Sequence, residues 1–444
     1  MDYWEAIDYI LALPDLERFS SGPAGQTMSL DAMKALLKRL GNPERGRRTI
    51  HVTGSKGKGS TASLIASVLK ESEYKVALYT SPHLHDYVER ISIDMLPISR
   101  FDFADALEEI REAIEEVNQS ELGPVSTFGA MNALFFHLAK KNKVDWQVVE
   151  VGLGGKNDAT NVFDQKDVAV ITSVSLEHTQ ILGNTCEEIA AEKAGIITKG
   201  CTAILAPQAD PKVKAVIAKH CKSVGAKLVD VAENYPVTPS AHDSNGQSFF
   251  IQTKDHKYNL HTYLLGMHQL DNCATAVAAC EAIFEAAPNV NPDMIEDGIA
   301  NVEMPGRIEQ LTRHPITVID GAHNGASMEA LVAALDRHYD YEEFVCILGV
   351  NQDKNLAEIL AALKKLEPKM VIATRSQSQR AMHPGKIAEE AAKAGMQSRA
   401  TQNITDAIQT AKEYAGHNDL VCITGSLYVV GEAREKILAL PAVH

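Results

Sequence analysis

The chain's most chemically pointed segment is Gly54-Ser55-Lys56-Gly57-Lys58-Gly59-Ser60-Thr61, set between the apolar run Thr49-Ile50-His51-Val52 and a helical pattern. Glycines let a backbone turn until several N–H groups face one point, and a helix starting there adds positive potential. Strand, glycine loop and helix together therefore make a phosphate cradle. Lys58 is placed to reach β- and γ-phosphates, and a following hydroxyl to face a metal. The strict P-loop spacing fails, because residue 52 is Val and residue 59 is Gly. The plain alternative is a glycine-rich turn with surface lysines.

A dinucleotide site competes for the same residues, since Gly57-x-Gly59-x-x-Ala62 satisfies that fingerprint after a strand. The fingerprint wants an acid at the end of the next strand to hold a ribose. Here that strand ends Leu78-Tyr79-Thr80-Ser81. A later Gly152-Leu153-Gly154-Gly155 lacks the third glycine, position 157 being Asn. Hydride chemistry is the weaker reading.

The elements that must carry these residues alternate. Strand-like runs occur at Thr49–Val52, Val76–Tyr79, Trp146–Val151, Val168–Ile171 and Thr202–Leu205. Helical patterns such as Asp102–Val117 and Cys186–Ala194 lie between several of them. On the helix after the glycine loop, Leu64, Ile65, Val68 and Leu69 share a face. This alternation implies a mostly parallel sheet covered by helices. Between about 230 and 262 the rhythm breaks. Ser248–Gln252 and Tyr258–Leu260 read as antiparallel strands appended to the sheet, followed by helices from Gln269 to Glu285 and on to about Val302. After Met304-Pro305-Gly306-Arg307 it restarts at Ile316–Asp320, Phe344–Leu348, Met370–Ala373 and Leu420–Ile423, so a domain boundary is expected near 304.

At 444 residues, two or three domains are expected. With 45% hydrophobic and 23% charged residues the composition is that of a soluble globular protein. The 43 basic and 58 acidic side chains give a net charge of −15, which provides no global attraction for nucleic acid or an anionic membrane. Anionic substrates would need local devices. The start Met1-Asp2-Tyr3-Trp4-Glu5 lacks a signal-peptide pattern and no long apolar run is present, so a cytoplasmic location is expected. Seven scattered cysteines, never in a CxxC pair, read as buried free thiols.

An ordered series of short motifs resembles the Mur ligase superfamily, and within it the dihydrofolate synthase/folylpolyglutamate synthase branch, from about residue 40 to 434. It runs through Gly41-Asn42-Pro43, His51-Val52-x-Gly54-x-x-Gly57-Lys58-Gly59-Ser60, Tyr79-Thr80-Ser81-Pro82-His83-Leu84, Glu89-Arg90-Ile91, Glu150-Val151-Gly152-Leu153-Gly154-Gly155 and Asp158-Ala159-Thr160-Asn161. It continues with His178-Thr179, Glu192-Lys193-Ala194-Gly195-Ile196, Gly266-x-His268-Gln269-x-x-Asn272, Pro305-Gly306-Arg307, Asp320-Gly321-Ala322-His323-Asn324 and Gly425-Ser426-Leu427-Tyr428-Val429-Val430-Gly431-Glu432. Each motif is weak alone; their order together is specific.

The resemblance implies an α/β fold with two domains. Residues 1–303 would form a P-loop-type parallel-sheet ATP-binding domain with an N-terminal extension, and residues 304–444 a smaller Rossmann-like C-terminal domain. It implies an enzyme that uses ATP and Mg2+ to phosphorylate the carboxylate of a pteroate- or folate-type acceptor, after which L-glutamate's amine displaces phosphate. Gly54, Gly57, Lys58, Gly59, Ser60 and Thr61 would hold the nucleotide phosphates, with Ser60 on one Mg2+. Ser81, Glu150 and His178 would hold a second. Lys193 resembles a lysine carbamylated in the family. Asn272 would meet the adenine, Arg307 the phosphates and Asp320 the ribose, and His323 would sit near the incoming amino acid. Lys58, His178, Lys193, Arg307 and His323 are thus the implied catalytic set. A monovalent cation such as K+ and a monomeric state complete the expectations.

Several positions depart from the family pattern. Ser55-Lys56 stands for the usual Thr-Asn, Lys156-Asn157 for Arg-Leu, Glu177 for Asp, and Gly325 for Pro. Gly129-Ala130 replaces an aromatic residue and a Glu, and the polar stretch Leu16–Thr27 is expected to border the acceptor pocket. These changes spare the ATP machinery but bear on the acceptor. The alternatives are a paralogue acting on another carboxylate or amino acid, and a nucleotide-binding regulator without catalysis.

Overall fold

The structure is a computed structural model that describes residues 1–14 and 30–439. The stretch Leu16–Thr27 lies outside the described residues. Eight strands build the first sheet: β1 Arg48–Thr53, β2 Val76–Tyr79, β3 Ile91–Ile93, β4 Leu96–Pro97, β5 Trp146–Glu150, β6 Val168–Ile171, β7 Thr202–Leu205 and β8 Lys227–Asp230. Their order is β4-β3-β2-β5-β1-β6-β7-β8, with only β3 and β4 running antiparallel to their neighbours. Successive residues of a strand face opposite sides. Ile50, Val52, Leu78, Val148 and Val170 therefore enter one core, against helices Lys58–Glu71, Met267–Glu281 and Pro292–Ala300. Ala77, Tyr79 and Val149 face the other side, beneath helices Tyr3–Ala12, Leu30–Arg39, Arg100–Asn118 and Thr127–Lys141.

Two expectations change. The helix after the glycine loop does not bury a single face: every residue from Ser60 to Leu69 is buried. It is sandwiched between the sheet and two helices, so closely that a Cβ at Gly298 would lie 2.5 Å from Val68 Cα. The segment after 230 is not appended to the main sheet. It is a separate antiparallel ribbon of β9 Val237–Asp243, β10 Gly246–Gln252 and β11 Lys257–Thr262, in the order β11-β10-β9. Phe249, Ile251, Tyr258 and Leu260 anchor it in the same core as the buried helix.

The last six strands are β12 Glu309–Arg313, β13 Ile316–Ile319, β14 Phe344–Leu348, β15 Met370–Ala373, β16 Ser398–Ala400 and β17 Leu420–Thr424, ordered β12-β13-β17-β14-β15-β16. Only β12 is antiparallel. Helices cover both faces, as doubly wound sheets require. Helices flanking the second sheet touch the loop after β2 and the β9–β11 ribbon through particular contacts. Leu84 packs beside Val430, His85 Nδ1 meets Glu435 Oε1 at 3.1 Å, and His338 Nδ1 meets the Asp243 carbonyl at 2.9 Å. All seven cysteines are free; six are buried, while Cys186 is partly exposed. Among the described residues no helix is long and apolar enough to cross a membrane.

Candidate active site

Open α/β sheets bind ligands at the carboxyl ends of strands where the chain's direction of winding reverses. In the first sheet that place is the run β2-β5-β1-β6, four parallel neighbours. Their ends carry Ser81, Glu150, the Gly54–Thr61 loop and the Thr172–His178 segment, so residues far apart in sequence meet at one edge.

The loop is built to be tight. Thr172 Oγ1 donates to the Lys56 carbonyl at 2.6 Å and Ser55 N donates to the Ser173 carbonyl at 2.8 Å, lashing the loop to the end of β6. A Cβ at Gly54 would lie 1.7 Å from Thr172 Oγ1. Gly57 is the helix N-cap at φ 81°, a left-handed conformation that glycine adopts without a steric cost. Asn272, held by Gln269 at 2.8 Å, lies against it: a Cβ at Gly57 would be 2.3 Å from Asn272 Oδ1. No side chain caps this helix, so its first-turn N–H groups remain open to an anion. Ser60 and Thr61 are both buried in that turn.

Glu150, only 3% exposed, faces Gly59 and accepts Ser81 N–H on Oε2 at 2.9 Å. Burial raises its carboxyl above the ordinary value, opposed by Lys58, the Ser81 amide, Arg307 and Arg90. On the other side of the loop His178 takes a left-handed backbone (φ 46°) at the start of the short helix Thr179–Leu182. Although His178 is exposed at the surface, partial desolvation lowers its imidazole, as do Lys354, Lys58 and Lys193, while Glu177 opposes them. Lys193, 1% exposed on helix Cys186–Ala194, donates to Glu177 Oε1 at 3.2 Å. Burial pushes its ammonium down to about 8, although Glu177 pulls it back up. The Glu177 carboxyl resists its own burial, because Lys193, Lys58 and Lys56 hold it below the usual value.

The second sheet contributes from its own carboxyl edge. Arg307 precedes β12, and its Nη1 would be 3.0 Å from a Cβ at Gly321. Among the described residues its guanidinium has no ion-pair partner, although its charge reaches Glu150, Asp320, Lys56 and His323. Asp320, at the end of β13, spends both carboxylate oxygens on backbone amides: Ile308 at 3.0 Å and Ala322 at 2.8 Å. It orders the junction around Arg307, and burial lifts its carboxyl. His323 Nδ1 meets the Gly321 carbonyl at 2.8 Å. Burial pushes its imidazole down to about 4, helped by Lys56, Lys354 and Arg307, so it is neutral at physiological pH.

Thus the sequence-derived residues fall into three neighbouring groups: the loop with Glu150, Ser81 and Asn272; His178 with Lys193 through Glu177; and Arg307, Asp320 and His323 across the cleft. Lys354 escaped the sequence reading, and Lys56 entered it only as a departure from the family pattern. Lys354 sits on the loop after β14, and its charge bears on Lys56, His178 and His323. Its place after a parallel strand of the second sheet was the available signal. The charges of Lys58, Lys354 and Arg307 all reach Lys56, those of Lys58 and Arg307 reach the buried Glu150, and those of Lys56 and Lys58 reach the half-buried Glu177.

The Mur ligase middle domain family matches residues 52–280, and the Mur ligase glutamate ligase domain matches residues 306–427. The chain is 32% identical to dihydrofolate synthase/folylpolyglutamate synthase of Bacillus subtilis over 421 residues, covering 93% of this chain and 96% of that one. It is 33% identical to the Mycobacterium tuberculosis enzyme of the same name, covering 91% and 89%. The solved M. tuberculosis folylpolyglutamate synthase complexed with ADP and AMPPCP superimposes with a TM-score of 0.87 at 31% identity, over 98% of this chain and 99% of that chain. An Escherichia coli relative in complex with DHPP and ADP gives 0.85 at 27%, over 99% and 98%. The chain belongs to the Mur ligase family, in its dihydrofolate synthase/folylpolyglutamate synthase branch of ATP-dependent glutamate ligases.

Proposed function

We propose that the chain binds Mg-ATP over the Gly54–Thr61 loop, transfers the γ-phosphoryl group to the carboxylate of dihydropteroate, a tetrahydrofolate or both, and lets the amine of L-glutamate displace phosphate. The observation that carries this reading is the convergence of Lys56, Lys58, Arg307 and Lys354 on an uncapped helix N-terminus beside the buried Glu150. Making an acyl phosphate brings two anions together, so cations must neutralise the meeting oxygens. Gly54, Gly57, Lys58, Gly59, Ser60 and Thr61 cradle the phosphates, Asn272 and Asp320 border the nucleoside, and Arg307 follows the developing charge. Neutral His323 borders the amino-acid site.

The donor set fits Mg2+. Among the described residues no three His, Cys, Asp or Glu side chains gather as a metal cage. Glu150, His178 and the hydroxyls of Ser60 and Ser81 offer few ligands, and Mg2+ keeps waters and takes substrate phosphates for the rest. Lys193, with its ammonium lowered to about 8, is suited to accept CO2 as a carbamate, which would replace a positive charge beside the metal with a negative one. A monovalent cation such as K+ belongs to the same reading. We take the chain to act as a cytoplasmic monomer of two units meeting near residue 304, with no nucleic acid or membrane partner.

The test is phosphate release with Mg-ATP and glutamate, offering 7,8-dihydropteroate and tetrahydrofolate separately and weighing the products by mass spectrometry. Glutamylated product from either acceptor is expected. ATP binding with no product from both would favour a paralogue using another acceptor, with Gly129-Ala130 as the place to look. If no carboxylate and amino-acid pair elicits turnover, the chain is a nucleotide-binding regulator.

A further inference from the structure

Beneath the loop of residues 152–161 lies a connected chain of buried polar groups that the proposed chemistry does not use. Lys166, 7% exposed, donates from Nζ to His51 Nδ1 at 2.9 Å and to Asn161 Oδ1 at 3.3 Å. Its ammonium also rests over the Phe163 ring, 5.4 Å from the centroid. Among the described residues it has no carboxylate partner, an unusual state for a buried lysine.

From Lys166 two arms extend. With Nδ1 accepting, the neutral His51 donates through Nε2 to Thr160 Oγ1 at 2.8 Å, and that hydroxyl donates to Asp158 Oδ1 at 2.5 Å. Asp158 then holds the Thr160 and Leu153 amides at 2.9 and 2.8 Å. His51, Thr160 and Asp158 are wholly buried, so each bond is shielded from water. On the other arm, Asn161 Nδ2 donates to the carbonyls of Lys156 and Gly195, both at 3.1 Å. Gly195 ends the helix that carries Lys193, and Lys156 N donates to the Glu192 carbonyl on that helix at 2.9 Å. His51 itself belongs to β1, three residues before Gly54, and Thr53 Oγ1 donates to the Gly154 carbonyl at 2.6 Å.

We propose that Lys166 is a positioning residue: through His51 and Thr160 on one arm and Asn161 on the other, it locks the 152–161 loop and the Lys193 helix to the strand that feeds the phosphate loop. This deepens the proposed ligase function, because it ties the placement of Lys193 to that of the nucleotide cradle. Burial lowers the Lys166 ammonium to about 7, yet Nζ donates whether charged or neutral.

Lys166→Met removes the donors and keeps the stem, Thr160→Val cuts one arm at constant shape, and Thr160→Ser retains the hydroxyl. Hydrogen exchange, which needs no substrate, is expected to quicken at residues 151–161 and 190–197 in K166M while 309–439 keep their rates. Turnover in K166M and T160V is expected to fall about tenfold or more with the KM for ATP within about twofold, and T160S to recover. Unchanged exchange in folded K166M overturns the proposal, as does T160S being as impaired as T160V. If the wild-type chain makes no glutamylated product but K166M exchanges faster at these two segments, the ligase reading falls and the lock stands.

Discussion

Two helices of this molecule begin the same way, after a parallel strand and a glycine-bearing turn, yet their first turns differ. Helix Lys58–Glu71 follows β1 and starts at Gly57, with no capping side chain. Helix Gly325–His338 follows β13 and starts at Asn324, whose side chain accepts Ser327 N–H at 2.9 Å while Ser327 Oγ accepts the amides of Asn324 and His323 at 3.1 and 3.0 Å. The first helix leaves its first-turn N–H groups uncapped; in the second, Asn324 has taken the Ser327 N–H and Ser327 has closed the turn from its own side. On the proposed function, one architecture is repeated, with binding assigned to one copy and delivery of side chains to the other. The second sheet's contributions, Arg307, His323 and Lys354, are side chains aimed from loops rather than an open helix end.

The largest effect is expected at Gly57. Gly57→Ala must hold φ 81° at about 1–2 kcal/mol and also displace Asn272. ATP affinity measured by calorimetry is expected to fall about 100-fold or more. Lys58→Met leaves the cradle intact and removes a cation, so turnover is expected to drop about 100- to 1000-fold with a smaller change in ADP affinity. Glu150→Gln is expected to raise the Mg2+ concentration for half-maximal rate about tenfold, as read from a metal titration.

A smaller effect concerns Lys193. Its amine is lowered to about 8, and only the neutral form attacks CO2, so carbamate should increase as pH rises through that value. Carbon-13 NMR with labelled bicarbonate is expected to show a stronger carbamate signal at high than at low pH, and none in Lys193→Arg. The smallest effect is expected from Asn324→Ala: about 1 kcal/mol of stability lost in a thermal melt, with ATP affinity unchanged. Equal losses of ATP affinity in G57A and N324A would erase the distinction between the two helices.

Much of this was legible in the chain. β2, β6, β7, β14 and β15 fall on the runs read as strands, because strands buried on both faces are continuous apolar stretches. β9 was not legible: Val237–Asp243 is almost wholly exposed and is held by pairing with β10, leaving no apolar alternation to read. The burial of the whole Lys58–Glu71 helix was hidden too, since its small residues Ala62, Ser63, Ala66 and Ser67 look like a polar face but are close-packing surfaces. The phosphate loop was visible because its glycines and lysines are contiguous. Lys166 was not, because it becomes informative only when strands distant in sequence are laid side by side, and Lys354 carried no signal beyond its place after a parallel strand.

Activation of the carboxylate by phosphorylation is tested with an acceptor whose carboxylate carries oxygen-18, in the presence of Mg-ATP and L-glutamate. Transfer of the label into the released phosphate, together with formation of the amide, is the expected result. Amide formation with unlabelled phosphate would contradict the acyl-phosphate route.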